Sequence, residues 1–156
     1  MAQNTANMAH APESTGPSFQ IHKLYLKEAS FITHPEVTNV AQNWKPELHV
    51  ELNVRHEALS QANTFEAILH VKSLVISQGN KVFEVEVDYA GIFTITQVEP
   101  SQLNHTLGSY CPSILYPYLR EVMADLVLKA GFPQLNLAPI NFDLLLEQQL
   151  KAQKSK

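Results

Sequence analysis

Strict alternation of apolar and polar side chains restricts this chain more than any other feature. In residues 47–55, Leu48, Val50, Leu52 and Val54 share one parity, and Glu47, His49, Glu51, Asn53 and Arg55 the other. Successive side chains of a β-strand point to opposite faces, so this segment reads as a strand with one buried and one solvated face. Residues 64–76 form a second, β-branched-rich strand that ends in the turn signature Ser77-Gln78-Gly79-Asn80. Residues 81–89 return as its hairpin partner, with Phe83, Val85, Val87 and Tyr89 on one face and Glu84, Glu86 and Asp88 on the other. Residues 19–31 are extended but change parity: Phe19 and Ile21 are odd, Leu24 and Leu26 even, which predicts a bulge near His22 and Lys23. Between this segment and the second runs a connection over residues 32–46, containing His34-Pro35 and Trp44 and long enough to carry function.

After Gly91-Ile92-Phe93 the pattern turns helical. Residues 100–107 predict a short helix broken by Gly108. Pro112 suits the first turn of a longer one, where its missing N–H is harmless. Leu115, Tyr118, Leu119, Val122, Met123, Leu126 and Val127 recur at three and four, and Gly131 supplies a stop. Asn141 caps a last helix carrying Phe142, Leu145, Leu146 and Leu150. Strands first and helices afterwards define an α+β fold, a four-stranded antiparallel sheet followed by helices. The expected organisation is a mobile tail over residues 1–18, one domain over 19–150 and a short basic tail over 151–156. A sheet with two edges, and a long helix more apolar than one small sheet can cover, predict self-association.

Several function classes are set aside on composition. The net charge is −4 and the basic residues are scattered, with Lys151, Lys154 and Lys156 the one concentration, so no nucleic-acid surface is expected. Cys111 is the sole cysteine, which rules out an internal disulfide and a thiolate metal cluster and fits a reducing compartment. The start lacks a secretory signal pattern and no apolar run reaches the roughly 20 residues that span a bilayer, so a cytoplasmic protein without direct membrane insertion is expected. The seven histidines are dispersed, without paired ligand spacing, and read as structural or surface groups. Cys111, beside a helix start, is conceivable as a nucleophile but has no Cys/His arrangement around it. The isolated glycines form no phosphate loop. Glu84, Glu86 and Asp88 form a row that is either a solvated sheet face or a docking stripe for a basic partner. Phe31, Trp44, Tyr116, Tyr118 and Phe142 are core residues or the lining of an apolar groove.

Five segments resemble the SecB family: Phe19-Gln20-Ile21 with Ser30-Phe31; Trp44-Lys45-Pro46-Glu47; Gly91-Ile92-Phe93; Leu107-Gly108-Ser109-Tyr110-Cys111-Pro112-Ser113-Ile114-Leu115-Tyr116-Pro117-Tyr118-Leu119-Arg120-Glu121; and Phe132-Pro133-Gln134-Leu135-Asn136-Leu137-Ala138-Pro139-Ile140-Asn141-Phe142. They come in the family's order and spacing. The resemblance implies a homotetrameric, ATP-independent holding chaperone, a dimer of dimers with long helices between sheets. Such a chaperone binds unfolded secretory precursor proteins and delivers them to the translocation ATPase SecA. It needs no cofactor and no catalytic residue. Carried over, the client-binding groove falls on Phe31, Trp44, Leu48, Val50, Leu52 and Phe142, and SecA docking on Glu28, Glu84 and Glu86. The chain departs from the family in having Ile32 where an acid can stand, Glu84 where an apolar residue can stand, and a basic rather than acidic end. The rival readings are a chaperone of this fold serving a partner other than SecA, and a small hydrolase or lyase using dispersed histidines and carboxylates.

Overall fold

The computed structural model describes residues 16–34 and 44–154. Four strands, β1 (Ser18–Thr33), β2 (Pro46–Ala58), β3 (Thr64–Ser77) and β4 (Asn80–Thr96), form one antiparallel sheet in the order β1-β4-β3-β2. Three helices follow: α1 (Pro100–His105), α2 (Cys111–Lys129) and α3 (Phe142–Lys154). The α+β architecture expected from the sequence is present, and each strand is longer than its alternating segment. The β3–β4 hairpin closes on Gln78 and Gly79 with φ of 52° and 80°, the left-handed pair that a two-residue turn needs to match strand twist.

In β1 the parity change is real, and it happens twice. The pairing with β4 shifts between Ile21 and Lys23 and again between Leu26 and Glu28. Each shift inserts one unpaired residue, His22 and then Lys27, so Phe19 and Ile21, Leu24 and Leu26, and Ala29 and Phe31 all fall on the same face. Without the two bulges, the middle pair would point away from the core.

α2 lies across that face, mainly over β4 and β3. Leu115, Leu119, Met123 and Val127, spaced by four, are buried against Val71, Val75, Val85 and Val87. Coverage stops short of both sheet edges. On the helix-facing side, Ile21 and Leu26 of β1 and Leu48 and Val50 of β2 remain exposed. On α2 itself Tyr118, expected in the apolar stripe, is 47% exposed and stacks on Tyr89.

Three expectations need correction. β4 does not give way to helix after Phe93 but continues to Thr96, because Ile95 still reaches the core. Gly108 does not break the helix. α1 runs through a π-helical turn, Thr106–Tyr110, straight into α2. The glycine serves close packing instead, since a Cβ there would lie 2.9 Å from Leu146 Cδ1 of α3. Lastly, α3 extends past Leu150, so Lys151 and Lys154 occupy its last turn, where cations complement the helix dipole. The stop at Gly131 and the cap by Asn141, whose Oδ1 accepts from the Leu144 N–H at 3.1 Å, are as expected. Residues 1–15, most of the expected N-terminal tail with His10, and residues 35–43 of the connection lie outside the described residues.

The continuity of the helices also decides the fate of Cys111. Its backbone N–H bonds to the Thr106 carbonyl, so no free helix N-terminus faces the thiol. The residue is fully buried, and burial pushes its pKa from an ordinary 9.0 up to about 12. We therefore expect iodoacetamide at pH 8 to leave the native protein unmodified and to label it fully in denaturant, as read by intact mass. Fast native labelling would show that this part of the core opens. A raised folded pKa also means that Cys111 favours the folded state below about pH 9, an advantage lost as pH rises toward 12.

Candidate functional site: an apolar track and an acidic face

The two sides of the sheet carry different chemistry. On the helix side, Val50 pairs with Ser73, Ser73 with Val85, and Val85 with Phe31, one line across all four strands. Phe31 and Val50 thus sit on opposite edges, three strand spacings or about 14 Å apart. The Ser73 hydroxyl in that line is buried and donates to Met123 of α2 at 3.4 Å.

Continuity is made around the end of α2 instead. The segment after Gly131 places Phe132 against Phe83, with ring centroids 4.7 Å apart, against Phe31 at 6.1 Å and against Trp44 at 6.5 Å. Phe31 stacks on Phe83 at 5.1 Å. Offset and tilted geometries of this kind are the favourable ones for aromatic rings. Phe31 and Trp44 are half-buried, and from Trp44 the chain enters β2, whose Leu48 and Val50 are 38% and 44% exposed. The result is an apolar track from the β1 edge, around Phe132, and along β2.

Farther along β2 a cleft of about 550 Å³ opens between that strand and α3, with Val54, Leu146 and Leu150 as its apolar lining and His56, His105 and Glu147 among its polar groups. α3 is anchored over it at Asp143, which accepts from the Ser109 hydroxyl and lies 2.8 Å from His105 Nε2. Those two contacts, Ser109 first, hold the Asp143 carboxyl below the usual range.

Of the groove residues expected from the sequence, Phe31 and Trp44 are brought together, and Leu48, Val50 and Leu52 form one row. Phe142 is placed elsewhere. It is 3% exposed and packs edge-on against Tyr116, so its ring secures α3 from within, away from Phe31 and Trp44. Sequence reasoning missed Phe132 and the Val54–Leu146–Leu150 cleft. The row of alternating residues did extend to Val54, and Leu146 and Leu150 are four apart, but nothing local said that α3 lies beside β2.

On the opposite side of the sheet the acidic row is in place and partly neutralised. Glu84 lies 3.3 Å from His34, Glu86 3.3 Å from Lys72, and Asp88 accepts from Arg55 at 3.2 Å and meets His70 at 2.5 Å. Glu28 is directly opposite Asp88, and Ser30 opposite Glu86. Glu28, Ser30, His70, Glu86 and Asp88 surround a recess of about 50 Å³. The second bulge re-aims Lys27 onto Glu66, which also accepts from the Tyr25 hydroxyl at 2.5 Å. Burial works to raise the Glu66 carboxyl, yet the bonds from Lys27 and Tyr25 hold it below its ordinary value, and Tyr25 is pushed up to about 12 by burial and by that same carboxylate. Among the described residues no group of three or more His, Cys, Asp or Glu is arranged to hold a metal ion. No helix among them is long and apolar enough to cross a membrane.

Known proteins show the family and the fold. The protein-export protein SecB 1 of Francisella tularensis subsp. novicida is 43% identical over 135 residues, covering 86% of this chain and 91% of the relative. The Legionella pneumophila (strain Corby) protein-export protein SecB is 46% identical over 133 residues, covering 85% and 82%. A SecB-like chaperone of Mycobacterium tuberculosis, solved in complex with a ChAD peptide from an antitoxin, superposes with a TM-score of 0.64 at 18% identity, covering 78% of this chain and 90% of that one, and shares the fold. The family profile described as preprotein translocase subunit SecB matches residues 12–153. The chain belongs to the SecB family of protein-export chaperones.

Proposed function

We propose that this protein is an ATP-independent holding chaperone that binds unfolded secretory precursor proteins in the cytoplasm and delivers them to SecA. The observation that carries the reading is the uncovered apolar track on the helix side of the sheet, in a member of an export-chaperone family. Burying apolar surface contributes roughly 25 cal/mol per Å², so an extended client gains affinity from many weak contacts, and a folded protein offers none of them. Phe31, Trp44, Leu48, Val50 and Leu52 make those contacts, while Phe142 acts from the core. The exposed Ile21, Leu26, Tyr110 and Tyr118 supply the surface through which subunits assemble as a homotetramer, a dimer of dimers. Light scattering from a denatured precursor diluted into nucleotide-free buffer tests the reading. Suppressed aggregation at near-equimolar tetramer supports it, and unchanged aggregation with folded protein overturns it.

SecA docks on the acidic face through Glu28, Glu84 and Glu86. The departure at Ile32 and Glu84 weakens this less than it first does on sequence, because those two residues are cross-strand partners. Exchanging an acid and an apolar residue across one pair keeps both kinds of side chain at the same spot. Glu86→Lys is expected to lower SecA affinity about tenfold or more by placing two ammonium groups, its own and that of Lys72, at one position, with client binding unchanged. Undiminished SecA binding would move the docking site elsewhere. The second reading is a partner other than SecA; intact holding without any SecA binding by the parent protein would establish it.

A further inference from the structure

Across the acidic side of the sheet, Glu51, Lys72, Glu86 and Ser30 stand directly opposite one another on successive strands. Lys72 of β3 is thus flanked by two acids, Glu86 on β4 and Glu51 on β2, and directly opposite side chains on one face are close enough to interact. Its ammonium lies with Glu86, 3.3 Å from Oε1, whereas Glu51 is exposed and forms no ion pair among the described residues. The charged form of Lys72 is favoured first by the hydrogen bond and charge of Glu86, then by Glu84 and Glu51. Of the paired acids in the row, Glu86 is held most loosely. Asp88 is 9% exposed and has two partners, Arg55 and His70, and Glu84 is engaged by His34. The Lys72 and Glu86 side chains keep 36% and 42% of their exposure, and a single contact between two flexible, solvated chains is easily broken.

We propose that Lys72 is a displaceable counter-ion of the docking face, held on Glu86 in the free protein and passed to Glu51 when a basic segment of the partner takes Glu86. This rests on the SecA-docking reading above and adds what sets its strength. A cation arriving at Glu86 competes with an ammonium already there, so Lys72 lowers the affinity without closing the site. Once displaced, the ammonium repels the incoming cation unless another acid receives it. Glu51 stands on the far side of Lys72 from Glu86, two strand spacings or about 10 Å away, so a side chain that swings to it leaves the docking row. Glu84, the other acid near Lys72, belongs to that row and is engaged by His34, so a move there would leave the ammonium beside the bound segment. Glu51 therefore acts on docking through Lys72, from a strand that carries none of the docking acids.

A double-mutant cycle separates this relay from a general effect of charge. The full-length parent, Lys72→Gln, Glu51→Gln and the double variant are titrated with SecA by calorimetry at low ionic strength, with Lys81→Gln as a control for net charge. Lys81 is exposed at the start of β4, away from Glu86. Lys72→Gln is expected to tighten SecA binding about threefold, an effect that fades in salt, and Lys81→Gln to leave it nearly unchanged. Glu51→Gln is expected to weaken binding about twofold to threefold in the parent and to change nothing once Lys72 is Gln. Binding by Lys72→Gln no tighter than by Lys81→Gln overturns the counter-ion role. An equal loss from Glu51→Gln in both backgrounds overturns the transfer, since Glu51 would then meet SecA directly. Both results leave SecA docking itself intact. A parent protein that does not bind SecA overturns the docking reading, and the relay falls with it.

Discussion

Gly91→Val is expected to destabilise the folded subunit by about 3 kcal/mol, near the top of the range for overpacking a core. Gly91 lies on the helix side of β4, where the ring of Phe93, two residues on and on the same face, folds back over it. A Cβ at Gly91 would stand 2.6 Å from Phe93 Cε2 and Cζ and 3.0 Å from Leu24 Cδ2. The ring cannot step aside: Phe93 is fully buried and packs on Phe19 at 5.4 Å, and Phe19 in turn meets Tyr110 at 5.0 Å. Relief requires β1 to move away from β4 or the ring to leave the core. Urea unfolding at fixed protein concentration measures the effect, with the midpoint falling and the slope unchanged. A loss below about 1 kcal/mol would show that the Phe93 ring has somewhere else to go.

The double substitution Leu48→Asp and Val50→Asp is expected to do the reverse: leave stability nearly unchanged and remove most client binding. Both side chains are about two-fifths exposed in the subunit, so the fold gains little from them. A client loses two apolar contacts at the centre of the β2 row and meets two new carboxylates beside its own apolar groups. At roughly 1 kcal/mol or more for each, affinity falls at least about tenfold. Aggregation suppression and the thermal midpoint should be read on the same sample. Full suppression by the double variant would place client binding off the β2 row. A collapsed midpoint would mean that Leu48 and Val50 are covered, and thus structural, in the assembled protein.

How much of this was legible in the chain differs from element to element. β2, the β3–β4 hairpin and the first bulge were, because strand periodicity, turn chemistry and parity are local properties of consecutive residues. The second bulge left the same kind of trace in Leu24 and Leu26 followed by Ala29 and Phe31, and the full length of β4 left one in Ile95. Gly108 was misjudged because glycine has two uses, ending a helix or admitting a neighbour. Only the position of Leu146, far along the chain, decides between them. Phe142 was misplaced for a similar reason. A large apolar residue at a helix start fits a groove or a core equally well until its surroundings, here Tyr116, are known.

The sequence by itself determined the α+β class, the order of strands and helices, the separation of an apolar from an acidic face, and, through long specific segments, the family. All of these follow from short-range periodicity or from contiguous motifs. Only the tertiary structure decided that α2 covers the middle of the sheet and leaves apolar side chains exposed toward both edges, that Phe132 joins Phe31 to Trp44 around the end of that helix, that each acid of the outer row lies beside a lysine, an arginine or a histidine, and that β1 is bulged where β2 is regular. Those facts depend on which surfaces meet across distances of many residues. Burial and pairing energies settle such meetings for the whole chain at once, and no single stretch of sequence encodes them.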